Sequence, residues 1–140
     1  AFAESLTGGL AASTLASVPG ASEVLAGGFI TYNDEMKQRL LGVSPKLLSE
    51  FGAVSEEVAR AMAEGCLLKT GADIALSFTG IAGPTGGSEI TPVGTVWIGM
   101  AEKDKDTQSF VYHFTGLRNR IRLRAVYHGL NLIRKRIESR

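Results

Sequence analysis

Three side chains in this sequence are placed where they could do chemistry together: Ser5, Tyr32 and Lys37. Ser5 lies in Ala1-Phe2-Ala3-Glu4-Ser5-Leu6-Thr7-Gly8-Gly9, where a short apolar stretch meets hydroxyl residues, two glycines and then the helix-forming run Leu10 to Ala16. That order reads as strand, tight turn, helix. Free backbone N–H groups and the helix dipole favour negative charge at such a junction. The stretch can therefore serve as a phosphate cradle or, through Thr7, Gly8 and Gly9, as an oxyanion hole beside a nucleophilic Ser5. The plainer alternative is that Thr7 caps a helix and the glycines turn the chain.

A serine needs a base, and neither His113 nor His128 is tied to Ser5 by any spacing. A lysine serves if desolvation or neighbouring positive charge lowers its pKa from about 10.4. Lys37 follows the end of a strand near Tyr32, as Ser5 follows its own. If those strands are neighbours, Ser5, Tyr32 and Lys37 meet at one edge of a sheet. Spacing alone describes Lys37 equally well as a solvated helix lysine. The two histidines are far apart, Cys66 is the single cysteine, and neither an HExxH nor a paired-Cys spacing occurs, so no metal-ligand set is read. Cys66 reads as a small core residue.

The elements that must position these groups follow from hydrophobic period and punctuation. After the first helix and the turn Val18 to Ser22, a strand is expected over Glu23 to Thr31, with Gly27-Gly28 as a bulge or a close approach of another backbone. Asn33 caps a short helix stopped by Gly42, Ser44-Pro45 opens another that ends by Gly52, and Ser55 caps an amphipathic helix closed by Gly71. Asp73 to Phe78 is a strand buried on both faces, and Thr79 to Ser88, with four glycines and a proline, is a loop where ligands bind in α/β sheets. Strands over Pro92 to Ala101 and Thr107 to Phe114 form an antiparallel hairpin, with Trp97, Tyr112 and Phe114 as packing residues. A final helix, Arg118 to Ile137, carries the apolar stripe Leu123, Val126, Leu130, Ile133 and Ile137. The order implies an α/β domain of three layers, α/β/α, with a mixed parallel and antiparallel sheet.

The 140 residues, 44% hydrophobic and 21% charged, suit one folded soluble domain, expected to be cytoplasmic with no membrane partner. Net charge is +1, yet residues 118 to 140 hold eight of the fifteen Lys and Arg and one acid, Glu138. No aromatic residue interleaves Arg118, Arg120, Arg122 and Arg124, and the acidic remainder would repel a polyanion, so nucleic acid is not expected as a partner. The basic helix otherwise reads as a solvated face, an anionic small-molecule site or an assembly surface.

Five stretches carry a resemblance: AESLTGG (Ala3 to Gly9), GGFITYNDEMKQRLLGV (Gly27 to Val43), GAVSEEVA (Gly52 to Ala59), TGIAGPTGGSEITPVGTVW (Thr79 to Trp97) and FTGLRNRIR (Phe114 to Arg122). In this order they closely resemble the CinA C-terminal domain family, the nicotinamide-nucleotide amidases. The resemblance implies hydrolysis of the carboxamide of nicotinamide mononucleotide to nicotinate mononucleotide and ammonia, in pyridine nucleotide recycling, with no metal or cofactor. It implies Ser5 as nucleophile, Lys37 as its base and Tyr32 relaying or orienting the proton. Thr79, Gly80, Ala82, Gly83 and Arg118 would bind the nucleotide, Arg118 at its phosphate. Two departures touch this transfer: Leu6 stands where members often have cysteine, and Gly116-Leu117-Arg118 where they commonly have Gly-Asp-Arg. Members also have a helix and strand before the serine motif, so residues 1–140 are expected to be one such domain lacking that helix and part of the first strand, and to form a homo-oligomer. The alternative implied function is a catalytically inactive nucleotide-binding or regulatory module of a CinA-type protein.

Overall fold

β1 (Phe2–Glu4) is the strand on which the parallel half of the molecule is built, in a computed structural model that describes residues 1–140. β2 (Gly28–Ile30) pairs parallel on one side of it and β3 (Ile74–Gly80) parallel on the other. β4 (Thr95–Glu102) and β5 (Gln108–His113) continue the sheet antiparallel, giving the order β2-β1-β3-β4-β5. Between them run α1 (Leu10–Ala16), α2 (Asp34–Leu41), α3 (Pro45–Phe51) and α4 (Glu56–Thr70), and α5 (Arg118–Glu138) closes the fold. The three-layer, mixed-sheet expectation holds.

Alternation along the strands assigns the layers. Phe2, Leu76, Phe78, Val96, Ile98 and Met100 face α1 and α5, where Ala11, Ile121, Ala125 and Val126 complete one core. Ala3 and Ala75 face the other way, onto Leu41, Leu48, Val58, Met62 and Cys66 of α2, α3 and α4. The Cys66 thiol is buried there, and burial pushes its pKa up to about 11, as expected of a packing cysteine. Helix limits follow local chemistry: Asn33, Ser44 and Ser55 accept N–H bonds from Met36, Leu47 and Val58, and Gly42 and Gly71 end α2 and α4 in the left-handed region.

Three expectations need correction. The second strand covers Gly28–Ile30 only, because Ala21–Glu23 form a turn of 3-10 helix. The close approach expected at Gly28 is present, since a Cβ there would lie 2.5 Å from the Phe2 carbonyl oxygen. β4 starts at Thr95, after Pro92 and Val93. The stripe of α5 is rotated: Leu123 and Ile137 are exposed, and Ile121, Ala125, Val126 and Gly129 are buried. The helix rests on the sheet through small residues, with Gly129 against the Phe78 ring, and small residues carry little weight in a hydrophobic pattern. No helix is long and apolar enough to cross a membrane.

Candidate active site

β1 lies between its two parallel neighbours, and the helices that follow β1 and precede β3 cover opposite faces. The chain therefore parts at the C-terminal ends of β1 and β3, the crevice where open α/β sheets bind ligands. Ser5 is the first residue beyond β1. Its N–H donates to the Phe78 carbonyl at 2.9 Å, which extends the β1–β3 ladder and fixes its backbone, and its carbonyl accepts the Gly8 N–H at 3.1 Å to close a tight turn. On the other side the Thr31 N–H donates to the Glu4 carbonyl at 2.8 Å, so the end of β2 is level with Ser5.

That register brings in the lysine. Asn33 caps α2 directly after Tyr32, and Lys37 is the fourth helical residue, turned inward under the strand end. Its Nζ donates to Ser5 Oγ at 3.0 Å and to the Thr31 carbonyl at 2.9 Å. Lys37 is 1% exposed, and none of the ion pairs of the molecule includes it. Burial of an ammonium without a carboxylate partner favours the neutral amine. The Lys37 pKa is accordingly lowered from 10.5, chiefly by desolvation, with the charge of Asp34 opposing the shift. A neutral amine can donate to Thr31 and offer its lone pair to the Ser5 hydroxyl, which is the arrangement of a serine with its general base.

The turn after Ser5 is held differently from what a helix N-terminus suggests. Glu4, 2% exposed, folds its carboxylate back over α1 and accepts the Ala11 and Ala12 N–H groups at 2.8 and 3.1 Å. The pole of α1 is thus occupied by the chain's own carboxylate, and the first helical turn is not free for a phosphate. Thr7 is not the cap: Gly9 takes that position at φ 103°, where a side chain would be strained, and Thr7 Oγ1 is buried without a partner. Of the expected oxyanion donors Thr7, Gly8 and Gly9, the Gly8 N–H is spent on the Ser5 carbonyl and Thr7 is 0% exposed, while the N–H of Gly9 has no partner in the chain. Arg122 of α5 grips the same turn from behind, Nε donating to the Leu6 carbonyl and Nη2 to the Thr7 carbonyl, both at 2.8 Å.

Tyr32 shares the sheet edge with Ser5 but makes no hydrogen bond to Ser5 or Lys37. Its side chain is exposed, and its hydroxyl accepts from Arg118 Nη2 at 2.7 Å. The proton-relay arrangement expected of Tyr32 is therefore not formed here. Arg118 Nη1 donates to the Gly83 carbonyl at 2.7 Å, so one guanidinium joins the loop after β3 to the end of β2. The loop expected from Thr79 begins only after Gly80, because Thr79 and Gly80 pair with Trp97 and Val96 as the end of β3. The residues of this stretch have structural duties, Thr79 Oγ1 donating to the Ala53 carbonyl, Gly80 abutting the Thr95 carbonyl and Ala82 lying buried in the core. Beyond them Pro84 to Glu89, with Pro92 and Val93, line an open cleft of about 350 Å³. A larger cleft of about 440 Å³, lined by Glu64, Leu68, Gly71 and Lys103 to Lys105, lies at the opposite end of β3 from Ser5. His113 and His128 sit away from the dyad, His128 edge-on to Tyr112 and Phe114.

Sequence reasoning missed Glu4 and Arg122. The carboxylate before Ser5 was a visible signal, four residues ahead of Gly8; the pairing of Arg122, 116 residues from Leu6, had none.

Comparison with known proteins identifies the family. The model of the CinA C-terminal domain matches residues 1–137. A competence-damage inducible protein of Caldicellulosiruptor bescii is 54% identical over 135 residues, covering 96% of this chain and 33% of that one. A CinA-like protein of Thermotoga maritima is 47% identical over 140 residues, 100% of this chain and 34% of that one. The chain thus spans about a third of the length of these relatives. The crystal structure of competence/damage inducible protein CihA from Agrobacterium tumefaciens superposes with a TM-score of 0.92 at 39% identity, covering 94% of this chain and 81% of that one. With the family model matching nearly the whole length and a solved relative superposing on it, the chain belongs to the CinA C-terminal domain family.

Proposed function

We propose that this chain is a serine amidohydrolase that releases ammonia from the carboxamide of nicotinamide mononucleotide. The observation that carries the reading is the 3.0 Å contact between Ser5 Oγ and a fully buried, unpaired Lys37 Nζ. A lysine so placed has no carboxylate in ion-pair contact to hold its charge, and a base is what a serine nucleophile lacks.

Neutral Lys37 takes the proton of Ser5 as the hydroxyl attacks the carboxamide carbon. The unpartnered N–H of Gly9, a partly exposed residue, is the turn donor available to the developing oxyanion. Lys37, now protonated, gives its proton to the departing nitrogen, and ammonia leaves with formation of an acyl-Ser5 ester. Water then attacks the ester, Lys37 again accepting a proton, and nicotinate mononucleotide departs as Ser5 is restored. Arg118 lies at the mouth of the crevice with exposed guanidinium N–H groups suited to the phosphate, and the loop from Gly83 to Gly87 closes the nucleotide side. Tyr32 orients Arg118 in this scheme.

The test is ammonia release from nicotinamide mononucleotide by the wild type, Ser5→Ala and Lys37→Ala. Turnover by the wild type that both substitutions abolish supports the reading. Turnover that survives both removes it.

A further inference from the structure

Arg122 is tied to the nucleophile turn more closely than packing of a terminal helix requires. Its Nε and Nη2 donate to two successive carbonyls, Leu6 and Thr7, at 2.8 Å each, and its Nη1 donates to Asn119 Oδ1 one helical turn back at 3.1 Å. The planar fork of a guanidinium matches two adjacent acceptors and holds them in one orientation. The carbonyl of Leu6 belongs to the same planar peptide unit as the N–H of Thr7, and in a trans peptide the two point in opposite directions. Arg122 therefore sits on one side of that unit and the Thr7 N–H on the other, enclosed in a residue that is 0% exposed. The Thr7 carbonyl, the second acceptor, shares its peptide unit with the Gly8 N–H, which donates to the Ser5 carbonyl at 3.1 Å. A cation on the carbonyl oxygen draws electron density through the peptide and makes the opposite N–H a stronger donor.

We infer that Arg122 is a positioning residue that fixes and polarises the Leu6–Thr7 and Thr7–Gly8 peptides, the second of which holds the Ser5 carbonyl, so that Ser5 keeps the one orientation needed for attack. The inference rests on the Ser5 mechanism proposed above and adds to it the group that makes the turn competent. Arg118, four residues earlier on the same helix, faces the loop and Tyr32 instead. The two arginines thus have separable effects: Arg118 on substrate affinity, Arg122 on the chemical step.

Two readouts on folded protein test this: kcat and KM for nicotinamide mononucleotide, and the rate at which a fluorophosphonate labels Ser5. Arg122→Ala, which frees the nucleophile turn without removing a reacting group, is expected to lose about 30- to 100-fold in kcat, less than the roughly 10²- to 10³-fold cost of a missing oxyanion donor, with KM within about threefold. Labelling should slow by a similar factor, and added methylguanidinium should restore part of both rates. Arg122→Lys, which offers one donor cluster in place of a fork, should retain about a tenth of the wild-type rate. If Arg122→Ala does not fold, Arg122→Lys decides alone, and wild-type rates in it overturn the inference. Unchanged kcat and labelling in Arg122→Ala, or a loss that methylguanidinium does not relieve, also overturn it. A wild type that labels but leaves nicotinamide mononucleotide untouched would sink the substrate reading, and the labelling ratio would still decide the role of Arg122.

Discussion

The turn after β1 and the loop after β3 are both glycine-rich, both follow parallel strands and both border the crevice, yet they are held in opposite ways. Residues 5 to 9 are gripped from three elements: β3 through the Phe78 carbonyl, α5 through Arg122, and α2 through Lys37. Residues 84 to 93 are mostly exposed, and their polar links are few: Ser88 and Thr91 bond each other. Ile90, at its tip, is 95% exposed. Glycine content is a poor guide to the job of a loop. The first turn uses glycine to fit a fixed geometry around a nucleophile, as a preorganised site must. The second uses it to leave room, as a surface that closes on a ligand does.

Substitutions in the gripped turn should therefore abolish chemistry or cost stability, and those in the open loop should be mild. The largest effect is expected at Lys37→Met, which keeps the volume but removes the base: ammonia release should fall by about 10³-fold or more, measured at saturating substrate. The same variant tests the titration. The folded-state pKa of Lys37 is depressed below 10.5, so the unfolded chain binds more protons between the two values and stability rises with pH across that window. The contribution is whole above 10.5 and is lost as pH falls through the lowered value; denaturant melts at a series of pH values should show this slope in the wild type and its absence in Lys37→Met. Activity should likewise rise with pH through the lowered value as the amine loses its proton.

Next in size is Glu4→Gln, which keeps one acceptor and sets an NH2 group against an N–H of α1. A loss of about 2 kcal/mol in chemical denaturation is expected, with kcat reduced because the turn rests on the same helix. Arg118→Ala should raise KM by about tenfold, roughly 1.4 kcal/mol, and leave kcat within a few-fold, since it removes a phosphate partner and not a group at the reacting carbon. A kcat loss larger than the KM change would place Arg118 with the chemistry and erase the contrast. The smallest effect is expected at Gly86→Ala: φ is 91° there and only the Ile81 side chain lies within 4 Å, so the cost should be about 1 kcal/mol of local strain in thermal unfolding. A cost several times larger would show the loop to be as constrained as the turn.

Much of the fold was legible because its signals are local. Helix caps at Asn33, Ser44 and Ser55 act over three residues, glycine stops at Gly42 and Gly71 act over one, and the apolar run of β3 and the alternation of β5 need only the strands themselves. On α5 the expectation slipped because small residues form the contact. Ala125 and Gly129 mark the buried face of α5, and hydropathy gave that face to Leu123 and Ile137. The candidate site was legible as a set of residue types, and the family resemblance carried Ser5, Tyr32 and Lys37 together; their physical states were not. Lys37 reads on its own as a solvated lysine beside Asp34 and Glu35, and it is buried because β2 pairs with β1 in a register that puts the Thr31 carbonyl and Ser5 over α2.

The sequence by itself determined the order of elements, the strand-turn-helix that exposes Ser5, the capping of α2 and the family to which the chain belongs. Only the tertiary structure decided which donors remain free and which groups are neutral. Glu4 occupies the pole of α1, Gly8 is consumed by the turn, Tyr32 is engaged by Arg118 and Arg122 reaches across to Leu6 and Thr7. The physical reason is that hydrogen-bond satisfaction and desolvation depend on every group that packs nearby, including groups more than a hundred residues away, whereas helix and strand propensities depend on a few neighbours.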